Sequence, residues 1–293
     1  MRELGQPTAE TRANAGRDAL EVWAGIYDGL TAIQAEQLGY DALWLSSLGL
    51  SVGRLGLPDA GFLRPATVVD AIREITNVVR LPLVVDFENG YGLRGTELAE
   101  LADEFFSAGG SALCMEDSVG EKRNSLWSAH KRELAAPDDT VARLTTLIDV
   151  ASRHGGSVVA RTEALIEGLG VDAAVERVAR YADAGCGAVV VHFRTDPEEV
   201  LEVARQVRAT SDIRLVVIPT VVPAKYFADF AEAGFNVYVA ANVALRAAAA
   251  AVGQGLASVL RTGRQQEAVE SIASLADLDA LVRTDALVPS VTP

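Results

Sequence analysis

The first residues in this chain that could do chemistry are acids gathered at the end of an apolar run. In Leu81–Gly92 (LPLVVDFENGYG), aliphatic residues of strand type give way abruptly to Asp86 and Glu88, then to a glycine turn. Aliphatics on both sides of a run suit a strand buried on both faces of a parallel sheet. Carboxylates at its exit are costly to bury without a partner, and a bound cation is one way to provide it. Two residues apart, Asp86 and Glu88 would point the same way on a regular strand. An oxygen-only ligand set favours Mg²⁺ or Mn²⁺ over zinc. A strand-end acid that caps the next helix or pairs with an arginine explains the stretch equally well, so both readings stay open.

The pattern recurs along the chain. Apolar runs end in Ser46 and Ser47, in Glu116 and Asp117, in Arg161 and Glu163, and in His192, while Thr220 and Asn242 follow two more. One polar strand end is unremarkable, but the repetition defines a site. The stretch Ser118–Arg132 (SVGEKRNSLWSAHKR) is long and polar for a loop between strand and helix. With Lys122, Arg123 and Asn124 it is a candidate lid. Plainer readings stand beside these. Arg161 could simply neutralise strand-end acids, His192 could be a satisfied core histidine, and Lys122 and Arg123 could be solvated. Trp44 reads as barrel or pocket packing, Gly90-Tyr91-Gly92 as a turn, and His130 and His154 as surface residues. Ser46 and Ser47 lack the signature of an activated nucleophile.

The elements that must position these residues alternate between strand and helix patterns eight times. Strands are expected at Val22–Tyr27, Ala42–Ser47, Leu81–Glu88, Ala112–Glu116, Ser157–Thr162, Ala188–Phe193, Arg214–Pro219 and Asn236–Ala241. Amphipathic stretches lie between them: Leu30–Leu38, Ala66–Ile75, Thr96–Ala108, Thr140–Arg153, Val171–Ala184, Pro197–Ala209 and Ala224–Ala233, with Val243–Arg261 after the last strand. Gly39, Gly109, Gly185 and Gly234 sit where helix C-caps belong. Eight units in one composition regime predict a single-domain α/β fold, a closed (β/α)8 TIM-type barrel, rather than an open doubly wound sheet. Residues Met1–Asp18 read as a polar leader, and Gln265–Pro293 as a short helix or two with a loose tail.

Of the 293 residues, 49% are apolar, enough for one large core. The net charge of −14 argues against nucleic acid or an anionic membrane as partner. An anionic substrate must then meet a local cluster of cations or a metal. The two cysteines, Cys114 and Cys186, lie inside apolar runs and read as buried thiols of a reducing compartment. The first residues lack the apolar core of a signal peptide, and the run Ala247–Val252 is too short to span a bilayer. A soluble, cytoplasmic protein is expected.

The segments VWAGIYDGLTAIQAEQLGYDALWLSS, GLPD, DFENGYG, MEDSVGEKRNS, VARTEALIEGLG, GAVVVHF and ANVALRA occur in an order that resembles the isocitrate lyase/phosphoenolpyruvate mutase superfamily. In that superfamily the lid separates chemistries. C–C lyases carry a Lys-Arg/Lys-Cys-Gly-His lid whose cysteine is the general acid, and here the matching stretch is Lys122-Arg123-Asn124-Ser125. The mutase lid, E-D-K-x5-N-S, resembles Glu116-Asp117-Ser118-x5-Asn124-Ser125, whereas phosphonopyruvate hydrolases typically place Thr where Asn124 stands. The resemblance therefore implies P–C bond chemistry of the phosphoenolpyruvate mutase type, with phosphonopyruvate hydrolysis or cleavage of a 2-oxo or malate-like diacid as alternatives.

Carried over position by position, the resemblance implies that Asp86 binds Mg²⁺ (or Mn²⁺) directly, with Glu88 and Glu116 holding it through waters. Ser46, Ser47 and Leu48 would meet a carboxylate or oxyanion, and Trp44 and Ser125 complete the expected substrate-binding set. Arg161, His192 and Asn124 would grip the phosphoryl group, Lys122 would enter with the closing lid, and Asp59 in GLPD would act as a gating acid. The expected partner is a small anionic 2-oxo acid or enol phosphate. A homo-oligomer, dimer or tetramer, that exchanges the last barrel helix is also implied. The chain departs from the mutase pattern at Ser118, at Glu88 in place of the second Asp of D-x-D, at Glu121 before the lid lysine, and at Ser46-Ser47-Leu48.

Overall fold

The computed structural model describes residues 20–127 and 132–288, so the expected leader, His130 and the last five residues lie outside the described residues. Eight parallel strands close into a barrel in sequence order. They are β1 (Glu21–Ile26), β2 (Ala42–Leu45), β3 (Leu83–Asp86), β4 (Ala112–Glu116), β5 (Ser157–Thr162), β6 (Ala188–Val191), β7 (Arg214–Val217) and β8 (Val237–Ala240). The alternating helices are α1 (Gly29–Leu38), α2 (Pro65–Thr76), α3 (Gly95–Ser107), α4 (Pro137–Arg153), α5 (Gly170–Asp183), α6 (Pro197–Arg208), α7 (Phe227–Ala233) and α8 (Val243–Thr262). The expected barrel is thus the observed fold.

Local chemistry sets the helix ends. Asp28 caps α1 by accepting the Thr31 amide at 2.8 Å, and Asp196 caps α6 ahead of Pro197, whose fixed φ suits a first helical turn. Gly39, Gly109, Gly185 and Gly234 all have positive φ just past a helix, which glycine adopts without steric cost.

Strand alternation sorts side chains into two layers. Trp23, Trp44, Val84, Cys114, Val159, Val190, Val216 and Val239 share the barrel interior. Leu43, Leu45, Val85, Leu113, Ala160, Val189 and Val217 pack outward against the helices. Because the period is two, the inward parity of Trp44, Val84, Cys114, Val159 and Val190 carries on to Ser46, Asp86, Glu116, Arg161 and His192. Register then sets these groups side by side, with Glu116 paired to Arg161 and Asp86 to Cys114.

Three expectations shift. β2, β3, β6 and β7 stop short of Ser47, Glu88, Phe193 and Pro219, since strands leave the ladder where the chain turns into its loop. After α8 the chain forms three short helices, Gln266–Val269, Leu275–Leu281 and Thr284–Leu287, instead of one or two. The Ala247–Val252 run belongs to a 20-residue helix that is long and apolar enough to cross a membrane. It follows β8 directly, as the eighth helix in chain order.

Gly25 on β1 is where two backbones come closest, for a Cβ there would lie 1.9 Å from the Ala241 carbonyl oxygen. Backbone cannot swing away as a side chain can, so Gly25→Ala is expected to cost about 2 kcal/mol or more. A thermal melt of that variant superimposable on the parent's would contradict this close approach.

Candidate active site

A cavity of about 60 Å³ opens among the strand ends. Trp44, Ser46, Ser47, Leu48, Asp59, Asp86, Lys122, Asn124, Ser125, Arg161 and His192 all line it. Larger cavities exist; one of about 470 Å³ at the opposite rim lies among Glu21, Asp41 and Arg214. It holds none of the converging acids, cations and amides of the strand-end site.

The walls are built from short polar contacts. Ser46 caps the turn that follows β2 by accepting the Gly49 amide at 3.1 Å. Ser47 donates its hydroxyl to Asp86 at 2.7 Å, and the other Asp86 oxygen accepts the Glu88 amide at 3.1 Å. Glu116 accepts Lys122 Nζ at 3.2 Å and the Ser118 hydroxyl at 2.6 Å, with Arg161 Nη2 at 3.7 Å. Arg161 donates to Glu163, and its Nη2 lies 2.9 Å from Ser125 Oγ and 2.8 Å from His192 Nδ1.

The lid lies over this floor. Lys122 is buried inside the site. Asn124 donates to Asp59 at 3.0 Å and accepts the Leu126 amide at 2.9 Å. The loop's two stems are joined by an antiparallel bridge, Ser118 to Leu134. Arg194 donates to the carbonyls of Ser125 (3.3 Å), Trp127 (3.2 Å) and Ile166 (3.2 Å), pinning the lid from the β6 side.

Burial and charge set the protonation states. Burial alone would raise the Glu116 carboxyl, yet Lys122 and Arg161 beside it hold it below the usual carboxylate range. Burial would also discharge Lys122, but Glu116, Asp86 and Asp59 keep it protonated. Burial, with Arg161 nearby, lowers His192. Burial likewise raises Asp59, and it pushes Glu88 up to about 8.

The structure corrects one premise. β3 ends at Asp86, and Glu88 takes a left-handed conformation (φ 50°), so the pair does not point together along a regular strand. Glu88 and Glu116 stand behind the cavity wall instead of lining it. Among the described residues no three acid, imidazole or thiol groups converge into a ready cage. The donor set still suits a hard cation, since Asp86 faces the cavity and Glu88 Oε1 is buried without a partner. Mg²⁺ keeps several of its own waters and needs only one or two carboxylates.

Several contributors were given no role from the sequence. Glu163 and Arg132 form the buried charge network behind Arg161, and Arg194 holds the lid. Leu126, Ile218, Thr220, Ala241 and Asn242 complete the lining, with Asn242 donating to Thr220 at 3.1 Å. Thr220 and Asn242 were visible as strand-end polar residues, whereas the apolar members carry no chemical signal. His154 lies on the surface as expected, 2.8 Å from Asp103.

A (β/α)8 barrel with acids, cations and an amide-bearing lid at its strand ends belongs to a known class: the chain is a member of the phosphoenolpyruvate phosphomutase family, which matches residues 16–260. Among named relatives, it is 31% identical over 256 residues to the phosphonopyruvate hydrolase of Variovorax sp. (strain Pal2), covering 86% of each chain. Other relatives are named phosphoenolpyruvate phosphomutase and 2-methylisocitrate lyase. The crystal structure of a phosphoenolpyruvate phosphomutase from Streptomyces platensis subsp. rosaceus superposes with a TM-score of 0.86 at 31% identity, covering 94% of this chain and 96% of that one. A phosphonopyruvate hydrolase complexed with oxalate and Mg²⁺ gives 0.83 at 28% identity, with the same coverage. The chain thus sits in an enzyme superfamily that spans mutase, hydrolase and lyase reactions.

With Glu88 near 8, a cation that needs its carboxylate must displace a proton below that pH. Mg²⁺ affinity measured by calorimetry is expected to rise with pH, by up to about tenfold per unit, and to level off above about 8. A flat profile would mean that Glu88 takes no part in holding the cation.

Proposed function

We propose that this protein interconverts an enol phosphate and a phosphonate of a small 2-oxo acid, as a phosphoenolpyruvate mutase does. The observation that carries this reading is the lid: Lys122, Asn124 and Ser125 sit on Glu116, Asp59 and Arg161, with no thiol among them. Both cysteines are buried away from the cavity lining, and burial raises both thiols. A cysteine acid of the lyase kind therefore has no counterpart here.

The residues fit phosphoryl migration in their charges and in what they exclude. A loose, metaphosphate-like group asks mainly for position, dryness and dispersed positive charge. Arg161 and Lys122, both kept charged, supply the cations, and the Asn124 amide is a neutral donor that cannot protonate an enolate. Ser46, Ser47 and the Leu48 backbone border the end of the cavity where the acid's carboxylate would lie. Asp86, with Glu88 and Glu116 behind it, would hold Mg²⁺ or Mn²⁺. When bound, that cation acts as a Lewis acid on the 2-oxo acid oxygen.

Hydrolysis of phosphonopyruvate is the second reading, favoured by the similarity to a named hydrolase over 86% of each chain. Phosphorus NMR of the protein with Mg²⁺ and phosphonopyruvate separates the two: the enol phosphate signals a mutase, free phosphate a hydrolase. Asn124→Ala is expected to lower the rate roughly a hundredfold with Mg²⁺ binding intact, and Asp86→Ala to abolish activity and metal response together. Conversion of phosphonopyruvate at the parent rate by both variants would dismiss the assignment.

A homo-oligomer that exchanges α8 is inferred alongside. Ser258 is the buried residue of α8, while Val252, Leu256 and Leu260 are exposed. A cavity of about 220 Å³ lies beside Ala24, Ile26, Ala35 and Leu38, where a barrel's eighth helix would pack. Sedimentation should give a dimer or tetramer; a monomer at micromolar concentration would refute the exchange.

A further inference from the structure

We propose that Glu163 is a positioning residue that fixes His192 as its Nδ1–H tautomer and aims the Arg161 guanidinium, leaving Nε2 of His192 as a hydrogen-bond acceptor for the ligand. This rests on the cavity being the reacting centre described above. Glu163 has no exposed surface and lines no part of the cavity. One of its oxygens accepts Arg161 Nε and lies 3.0 Å from His192 Nδ1. The other accepts Arg132 Nη2 at 2.7 Å and lies 3.2 Å from the same ring nitrogen.

His192 Nδ1 therefore stands between a carboxylate and a guanidinium, for Arg161 Nη2 is 2.8 Å away. A neutral ring nitrogen can donate or accept there, not both. Two considerations decide for donation to Glu163. A lone pair turned toward a buried carboxylate would meet uncompensated repulsion, whereas N–H to carboxylate is a charge-assisted bond. Arg161 Nη2 has another acceptor in Ser125 Oγ at 2.9 Å, so it does not need the ring. The bond made by one ring nitrogen sets the state of the other, so Nε2 carries the lone pair. No hydrogen bond from a described residue reaches Nε2, and the ring lines the cavity.

The carboxylate is itself held. The Glu163 amide donates to Asp117 at 2.9 Å, and Asp117 is gripped by Arg177 Nη1 (2.9 Å) and the Tyr181 hydroxyl (2.8 Å) of α5. Arg132 also bonds Glu167 through both its amide (2.8 Å) and its Nε (3.1 Å). An acceptor at Nε2 selects what it meets: the ligand must bring a hydrogen. A monoprotonated phosphonate, with its P–OH toward His192, satisfies this and a fully ionised one does not.

The chain has three histidines, His130, His154 and His192, so nitrogen-15 histidine NMR can resolve each ring, with His130→Gln and His154→Gln assigning the spectrum. Near neutral pH the full-length protein is expected to show His192 protonated at Nδ1. Glu163→Gln keeps the shape and can turn its amide N–H₂ toward Nδ1. It is expected to move His192 to the Nε2–H form and to lower kcat roughly a hundredfold with a smaller change in KM, and Glu163→Asp to restore the Nδ1–H form in part. An Nε2–H ring in the parent protein, or a Glu163→Gln protein with unaltered tautomer and kcat, overturns the inference. If Glu163→Gln does not fold, the parent spectrum alone decides. A tautomer that shifts as described in a protein without P–C activity would sink the proposed reaction and leave the role of Glu163 standing.

Discussion

Two buried glutamates, Glu116 and Glu163, hold the positive charge of this site in place. Burying Lys122, Arg132 and Arg161 unpaired would cost several kcal/mol each. The two carboxylates, with Glu167, offset that cost through direct contacts: Lys122 on Glu116, Arg161 on Glu163, and Arg132 across all three. Removing one member leaves an opposite charge uncompensated, so the network behaves as a unit. Every cavity-facing cation of the site is fixed through it. The low-dielectric interior that makes these pairs expensive also strengthens their pull on an anionic ligand.

The network builds a local patch of positive charge inside an acidic chain. A net charge of −14 would repel a small dianion at long range, but an anion entering the cavity would meet Arg161 and Lys122 in its lining. The lid belongs to the same machinery, because its lysine is a partner of Glu116 and its serine a partner of Arg161. In this conformation the loop and the buried charges share their contacts, and the Asn124–Asp59 bond ties the loop to the segment after β2.

Much of this was legible in the residues. The recurrence of polar residues at the ends of apolar runs marked Ser46, Asp86, Glu116, Arg161 and His192, period-two alternation set Asp86 beside Glu88, and the eight-fold count predicted the barrel. The alternation fails at Glu88, where the chain has left the ladder and turned left-handed; strand parity says nothing beyond the last ladder residue. Glu163 was visible beside Arg161, but its use as a brace for two neighbours depends on a carboxylate folding back under Arg161, which has no periodic signature. Arg132 and Arg194 lie in irregular segments and act through carbonyls and acids distant in sequence. The lid's chemistry came from the order of its residues compared with a family, a kind of information that hydrophobic patterning does not contain.

The three tryptophans occupy two unlike surroundings. Trp23 and Trp44 stack inside the barrel with ring centroids 6.5 Å apart and almost no exposed surface, whereas Trp127 is 44% exposed at the lid, its own carbonyl held by Arg194. The protein's intrinsic emission is therefore a sum of a blue-shifted, shielded pair and a single red-shifted indole open to acrylamide. Quenching the latter selectively gives the flap an optical handle without any label.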